Sequence, residues 1–167
     1  RHFHDGLGRA AASVDAASVP TGVDVGSLDA FDVVEDWIDS IVATVDGRRL
    51  DGVSVVLDTA NGAASTVGPQ VFRRLGADVV VLCDEPDGVN INDGCGSTSP
   101  AALASAVVEH GADFGLAFDG DADRLIAVDH TGAIVDGDHI IALCAVDLAA
   151  RGRLADDTVV VTVMSNL

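Results

Sequence analysis

The sequence predicts an α/β protein with a three-layer α/β/α architecture and a mixed four-stranded sheet whose last strand is antiparallel. Short runs rich in Val, Leu and Ile alternate with helical segments along the chain. Near-continuous apolar strands of this kind are typical of a sheet that helices cover on both faces. One connection between strands is too short for a parallel crossover, which makes the last strand antiparallel.

The first predicted element is an amphipathic helix that begins near Ser27 and ends at Gly47. Its apolar residues recur at three- and four-residue steps, which places them on one helix face. That face comprises Phe31, Val34, Ile38, Ile41 and Val45. Ser27 is the expected N-cap, the early acidic residues suit the N-terminal end of the helix dipole, and glycine is a common terminator.

Four strands and three further helices are predicted after this helix. The strands are "VSVVL" (53–57), "DVVVL" (78–82), "DFGLAF" (113–118) and "RLIAVD" (124–129). The helices are one that ends at Gly76, one that runs through Val108 and one from about Asp138 to Ala150. The second of these opens with Ser99 as N-cap and Pro100 as the first helical residue. Only a short aspartate-rich loop joins the third and fourth strands, whereas a parallel crossover needs about a dozen residues or more.

The chain divides, on composition, into a lead-in, one domain and the beginning of another. Residues 1–27 are rich in Gly, Ala and Ser and are typical of a linker. Residues 28–152 carry the α/β pattern. Residues 153–167 contain "DDTVVVTVMSN", which predicts the first strand of a further, truncated domain. Since the chain starts at Arg1 and stops just after this run, we expect it to be part of a longer protein.

The charge balance argues against polyanionic partners. The net charge is -18, the isoelectric point is near 4.1, and all nine basic residues are arginine. Nucleic-acid binding depends on Lys and Arg that neutralise phosphates, and anionic membrane surfaces attract the same residues. No run approaches the roughly 18 consecutive apolar residues of a membrane span. We therefore predict neither a nucleic-acid nor a membrane partner.

The cysteines indicate a reducing compartment. Cys83, Cys95 and Cys144 are three in number and form no C-x-x-C pair, so they indicate neither a disulfide scaffold nor a zinc site. We predict reduced thiols in a cytoplasmic protein, with Cys83 and Cys144 as small buried apolar side chains.

The stretch "FGLAFDGDADRLIAVD" is the strongest functional signal. It places Asp119, Asp121 and Asp123 directly after a strand, at the edge where ligands bind in open α/β sheets. Three carboxylates this close repel one another unless a cation is present. Oxygen-only ligands suit a hard cation, and Mg²⁺ keeps positions open for a phosphate oxygen. Arg124 adds a planar guanidinium suited to phosphate.

Other interpretations of this stretch are an acidic surface turn and two known metal loops. An EF-hand calcium loop requires Gly at its sixth position and Glu at its twelfth, where this chain has Arg124 and His130. A phosphatase with an aspartyl nucleophile also begins with D-x-D after a strand and would make Asp119 the nucleophile. That interpretation leaves the third aspartate and the arginine unexplained.

Several segments resemble the α-D-phosphohexomutase family. "FDGDADR", followed by "AVD" and "VDGD", is similar to the metal loop of that family, and "VVLDTANGAAS" resembles the first strand and turn of its second domain. "EPDGVNINDGCGST" resembles a loop of the phosphoglucosamine mutase branch, and "VTVMSNL" is similar to that branch's entry into the third domain. The resemblance covers roughly residues 50–167 in the right order.

The resemblance implies a four-domain enzyme with one cleft. A phosphoserine on the first domain, absent from this chain, would donate and accept the phosphoryl group. The second domain would hold Mg²⁺ through Asp119, Asp121 and Asp123, and Arg124 would lie beside the phosphoryl group. Ala122 stands where the family usually has glycine, so the loop must offer a backbone conformation that alanine can adopt.

The branch implies conversion of glucosamine 6-phosphate to glucosamine 1-phosphate through a sugar bisphosphate intermediate. The partners would be the phosphosugar, that intermediate and the missing domains of the same chain. Alternatives are a phosphoglucomutase or phosphomannomutase of the same family, the Mg²⁺-dependent phosphatase and a non-enzymatic cation-binding module. Because the serine loop is absent, we expect this chain to be inactive alone.

Other polar residues have structural interpretations beside functional ones. Asn61 and Gly62 are more typical of a strand-to-helix turn than of a ligand contact. Asn90 and Asn92 lie in a long loop, which indicates either function or Asx turns, and the resemblance places them near a domain interface. The pair of aspartates at 136 and 138 is predicted to cap a helix rather than bind metal.

Overall fold

The computed structural model describes Ser27 and residues 32–165. The chain divides into two compact units, residues 1–32 and 33–167, and the fold below is that of the second. Its helices are α1 (Val34–Ala43), α2 (Ala64–Leu75), α3 (Ala101–His110) and α4 (Gly137–Ala150). Its strands are β1 (Ser54–Asp58), β2 (Asp78–Leu82), β3 (Phe114–Phe118), β4 (Leu125–Asp129) and β5 (Ile134–Val135). Apart from Ser27, the predicted lead-in lies outside the described residues.

The strands form one mixed sheet in the order β2-β1-β3-β4-β5. β1 pairs in parallel with β2 and β3, whereas β4 is antiparallel to β3 and β5. The α/β class, the mixed sheet and the antiparallel strand after the aspartate loop are confirmed. The predicted count of four strands is wrong, since the described residues form a five-stranded sheet. β5 has only two residues, too few for a periodic pattern, and it becomes a strand by pairing with β4.

One face of the sheet is covered by α3. Val56 of β1 and Val128 of β4 are fully buried there, in a core that also contains Leu103 and Val107 of α3. Gly115 lets the helix approach closely, because a Cβ atom at that position would lie 2.6 Å from the Val107 Cγ2 atom. This face is therefore packed tightly beneath the strand that leads into the aspartate loop.

The opposite face carries α2, with α1 packed upon it. Val67 and Val71 of α2 line an apolar groove together with Leu116 and Phe118 of β3. Ile38 of α1 is fully buried against the same helix. Helices thus lie on both faces of the sheet, as the near-continuous apolar strands predict.

Two predicted helix caps are wrong. α1 begins at Val34, and the residue in its N-cap position is Val33, which makes no side-chain cap hydrogen bond; Ser27 is not its cap. α3 has Pro100 in the N-cap position, one residue later than predicted, and Ser99 instead follows the 3₁₀ turn Gly96–Thr98. Tertiary packing stabilises most protein helices more than capping does, and the burial of α1 against α2 has that role here.

The predicted C-terminal glycine of α2 is confirmed. Gly76 follows the helix in the left-handed region at φ 98°, and its N–H bonds to the carbonyl of Arg73. α1 ends at Ala43, earlier than predicted, and the following turn reaches Gly47 at φ 75°. Glycine suits both positions because it has no Cβ atom to clash in this conformation.

The segment predicted to be the first strand of a further domain is described as far as Ser165. It contains a 3₁₀ turn, Ala155–Asp157, and then an exposed run in which Val160 is 90% exposed. No described strand pairs with this run, so no strand is assigned to it. A strand forms only with a partner, and the division into domains stays a prediction. Within the described ranges, no helix is long and apolar enough to cross a membrane.

Candidate metal centre

The aspartate loop joins β3 to β4 at the carboxyl end of β3. Phe118 and Leu125 form the last register pair, so residues 119–124 are the whole connection. A hydrogen bond of 3.1 Å from the Ala122 N–H to the Asp119 carbonyl closes a turn within it. Three side chains each offer a carboxylate oxygen within 4.8 Å of the others: Asp119, Asp121 and Asp123. The structure therefore brings together the three side chains that the sequence predicts as ligands.

Asp119 is the anchored member of the group. Its side chain is only 1% exposed. Its Oδ1 atom accepts the backbone N–H of Arg124 at 3.0 Å, and its Oδ2 atom accepts the Arg124 Nε–H at 2.6 Å. These interactions, the backbone hydrogen bond foremost, lower the pKa of Asp119 to about 2. Asp119 is therefore ionised at neutral pH, with Arg124 as its counterion.

Asp121 and Asp123 are exposed and keep part of the repulsion that the sequence predicts. The charge of Asp121, followed by that of Asp119, raises the pKa of Asp123. The Nε atom of Arg124 is 3.7 Å from the Asp123 carboxylate, compared with 2.6 Å from Asp119. The arginine thus compensates one carboxylate well and leaves a negative site open to solvent.

The chemistry of this group fits a divalent cation. All three donors are carboxylate oxygens, which hard cations prefer over nitrogen or sulfur ligands. A cation between them would reverse the repulsion that raises the Asp123 pKa. The loop is therefore an acidic group able to hold a metal ion.

The loop backbone is clamped between two neighbouring segments at Gly120. The Ala63 N–H donates to the Gly120 carbonyl at 2.8 Å, and a Cβ atom at Gly62 would lie 2.3 Å from that oxygen. On its other side, a Cβ atom at Gly120 would lie 2.6 Å from Ile91 Cδ1 and 2.8 Å from Asn92 Nδ2. Glycine at 62 and 120 thus permits contacts that position the aspartates.

The sequence indicates these segments but not their contact with the loop. Asn61 Oδ1 accepts the Glu85 N–H at 3.2 Å, and Asn90 Nδ2 donates to the Glu85 carbonyl at 2.9 Å. Both asparagines thus hold the long loop after β2, which agrees with their interpretation as turn residues. The signal that could have predicted this contact is the Asn-Gly pair at 61–62 after β1 and the Asp-Gly pair at 119–120 after β3. Because β1 and β3 are parallel neighbours, both pairs lie at the same edge of the sheet.

The pair of aspartates at 136 and 138 lies at the start of α4, as predicted. Asp136 is the N-cap, and its Oδ1 atom accepts the His139 N–H at 3.0 Å. Asp138 is in the first turn of the helix. Neither belongs to the groups within metal-ligand distance in the part of the chain that the structure describes.

A match to a known protein family covers the metal centre. Residues 35–132 match the family described as phosphoglucomutase/phosphomannomutase, alpha/beta/alpha domain II. The chain belongs to this family. The matched residues include the aspartate loop and lie inside the predicted domain of residues 28–152.

Relatives and a solved structure of the phosphoglucomutase/phosphomannomutase family are similar to most of the chain. A phosphoglucosamine mutase of Symbiobacterium thermophilum is 54% identical over 154 residues, which cover 92% of this chain and 34% of that protein. One of Streptomyces avermitilis is 55% identical over 148 residues, covering 89% and 33%. A family protein of Burkholderia thailandensis has a TM-score of 0.70 at 26% identity, covering 89% and 32%. The chain thus spans about a third of the length of the curated relatives it matches.

Ala122 adopts a strained conformation within the family's loop. Its φ is 61°, in the left-handed region that favours glycine. We expect Ala122→Gly to raise the free energy of unfolding by about 0.5 to 1 kcal/mol, because relief of strain exceeds the added chain entropy. Urea unfolding measures this change.

Ala133 supplies the matched control, since it lies in the next loop and its φ is not positive. There, Ala→Gly should lower stability by about 0.4 to 1 kcal/mol. Equal losses of stability from Ala122→Gly and Ala133→Gly would contradict the assignment of strain to Ala122.

Proposed function

We propose that this chain is the metal-binding domain of a phosphosugar mutase that interconverts glucosamine 6-phosphate and glucosamine 1-phosphate. The observation that carries the proposal is the group of three carboxylates beside Arg124, in a chain of the phosphoglucomutase/phosphomannomutase family. The names of the two bacterial relatives favour the glucosamine branch over glucose or mannose phosphates. As the full-length protein, it would be an intramolecular phosphotransferase of the isomerase class.

Mg²⁺ is the metal we propose for the aspartate loop. Mg²⁺ prefers a few carboxylates and keeps other positions for water and phosphate oxygens. Asp119, Asp121 and Asp123 would hold it, and it would supply Lewis-acid stabilisation of the transferring phosphoryl group. The depressed pKa of Asp119 keeps at least this ligand ionised at neutral pH.

Arg124 is the residue we propose to contact the phosphoryl group. Its side chain is 67% exposed, and the hydrogen bond it makes among the described residues uses only Nε. The two terminal nitrogens can therefore face a phosphate while Asp119 keeps the guanidinium oriented. Arg124 would thus bind substrate phosphate and position a metal ligand at once.

The remaining parts of the reaction belong to partners outside this chain. The phosphoserine would come from another domain of the same protein, and the sugar phosphate and its bisphosphate intermediate would occupy the cleft between domains. We place this metabolic activity in the cytoplasm. The aspartyl phosphatase alternative is disfavoured, because both oxygens of Asp119 already accept hydrogen bonds from Arg124 in a buried position.

A chimeric enzyme tests the proposal. The matched segment of the Streptomyces avermitilis relative is replaced by the corresponding residues of this chain, which are 55% identical over 148 residues. We expect the chimera to convert glucosamine 6-phosphate with Mg²⁺. Combined Asp121→Asn and Asp123→Asn changes should lower turnover by about a hundredfold or more, because a Lewis acid contributes several kcal/mol. Asp36→Asn on α1 is the matched control and should leave turnover unchanged.

Five outcomes would overturn the proposal. A chimera that is folded, as cooperative unfolding shows, but lacks mutase activity would exclude this function for the domain. Preference of the chimera for glucose or mannose phosphate would assign the domain to another branch of the family. Turnover by this chain alone would exclude the multidomain mechanism. Phosphate release by this chain alone, lost on Asp119→Asn, would establish the phosphatase instead. If calorimetry gives much tighter Ca²⁺ than Mg²⁺ binding, without any turnover, the loop is a non-enzymatic cation site.

A further inference from the structure

A second group of potential ligands lies at the same edge of the sheet and contains sulfur. Asp58 ends β1, Cys83 follows β2, and Cys95 precedes the 3₁₀ turn before α3. One ligand atom from each lies within 4.8 Å of the others. The sequence offers no hint of this group, because twelve positions separate the two cysteines and the carboxylate comes from a different strand.

Asp58 is a buried carboxylate without a cationic partner in the described part of the chain. Its side chain is 0% exposed. Its oxygens accept the backbone N–H groups of Ala60 at 3.0 Å and Gly96 at 2.8 Å. No ion pair of the described residues includes it. Buried carboxylates are normally paired with a cation or bound to a metal, so this arrangement needs an explanation.

The two thiols complete the group. Cys95 is 2% exposed, whereas Cys83 is partly exposed and leaves a route from solvent. Desolvation, followed by the Asp58 charge, raises the pKa of Cys83 to about 12, and desolvation also raises the pKa of Cys95. Without an ion the thiols are therefore protonated, and their sulfur atoms lie within 4.8 Å of each other and of an Asp58 carboxylate oxygen.

We propose that Asp58, Cys83 and Cys95 form a binding site for a thiophilic divalent cation such as Zn²⁺, separate from the aspartate loop. Two sulfurs and one oxygen suit Zn²⁺ or Cd²⁺ and not Mg²⁺. On binding, each thiol releases its proton to solvent, and a metal–sulfur bond replaces each S–H bond. The cation also compensates the buried charge of Asp58. A tetrahedral site of this kind leaves its fourth position to water on the solvent side of Cys83.

Such an ion would link the segments that support the aspartate loop. It would join the ends of β1 and β2 to the loop that contains Asn92, whose side chain contacts Gly120. Asn92 also donates its N–H to the Ala60 carbonyl at 2.9 Å, two residues after Asp58. The cation would therefore be a structural cross-link between these segments. This role does not depend on the mutase reaction.

Titration of the reduced chain with Cd²⁺ tests the site. We expect one Cd²⁺ per chain, detected by sulfur-to-cadmium charge-transfer absorption in the ultraviolet, in the presence of excess Mg²⁺. Cys83→Ser should weaken binding by about a hundredfold or more, beyond the roughly 10- to 100-fold cost of losing an outer-shell partner. Zn²⁺ should also raise the thermal midpoint of the unsubstituted chain but not of this variant.

Cys144→Ser is the matched control, because Cys144 is exposed on α4. It should keep both the absorption band and the thermal shift, as should the Asp121→Asn and Asp123→Asn double variant. Circular dichroism checks that each variant is folded, and Cys95→Ser gives an independent loss of binding. A band that survives Cys83→Ser, disappears in Cys144→Ser or never forms would overturn the site.

Discussion

Gly62→Ala should lower the free energy of unfolding by about 3 kcal/mol, the upper part of the usual range for an overpacked site. The added Cβ atom would lie 2.3 Å from the Gly120 carbonyl oxygen and 2.7 Å from its Cα atom. Both are backbone atoms, so no side-chain rotation can relieve the clash. The change should also break the Ala63–Gly120 hydrogen bond of 2.8 Å and weaken Mg²⁺ binding. Urea unfolding and calorimetry measure the two effects.

Gly68→Ala is the matched control for this prediction. Gly68 lies within α2, and a Cβ atom there would be 3.7 Å from the Ala64 Cβ and 4.0 Å from Phe118 Cε2, which are ordinary contacts. Alanine should stabilise the helix by about 0.5 to 1 kcal/mol through its smaller entropy loss. If Gly62→Ala were as well tolerated as Gly68→Ala, the aspartate loop would not be held against the start of α2.

Asp119→Asn should destabilise the chain at neutral pH and alter its acid sensitivity. The folded pKa of about 2 lies below the usual value of 3.8. The stabilisation by ionised Asp119 is therefore fully present above about pH 4 and is lost as the pH falls through about 2. The urea midpoints of the unsubstituted chain and the variant should thus converge on acidification. A constant difference between them over this range would contradict the role assigned to the Arg124 hydrogen bonds.

Asp123→Asn should change the stability of the chain in the opposite direction, and it serves as the control. Its pKa is raised by the charges of Asp121 and Asp119, so its ionised form is disfavoured in the folded chain. Removing that charge should stabilise the metal-free chain at neutral pH, and the gain should vanish below the unfolded pKa, where Asp123 is protonated. With Mg²⁺ present the variant should bind more weakly. If Asp119→Asn and Asp123→Asn both destabilise the metal-free chain, repulsion between the loop carboxylates does not limit its stability.

Most of the fold could be predicted because it follows from local patterns. Apolar runs at 53–57 and 78–82 match β1 and β2, and Gly76 ends α2 as expected. The antiparallel direction of β4 followed from the length of one loop. The errors lie where neighbours decide the outcome: β5 exists through pairing with β4, and the start of α1 does not depend on Ser27.

The sequence does not predict correctly which cysteines are buried. The prediction that Cys144 is buried is wrong, because it lies on α4, none of whose residues is buried in the described chain. Cys83 is partly exposed, and Cys95 is the buried one. Burial depends on which helix face meets the sheet, and the sequence of α4 is apolar on too many sides to predict that face.

The sequence by itself determined the chemistry of the aspartate loop: three carboxylates and an arginine within six positions, after an apolar strand. Only the tertiary structure decided that Asp119 pairs with Arg124 while the other two acids stay exposed, and that Gly62 and Asn92 hold Gly120. It alone brought Asp58 to Cys83 and Cys95. The reason is physical. Local spacing sets which groups can share one loop, whereas contacts between segments distant in sequence arise when parallel strands align their ends at one edge of a sheet.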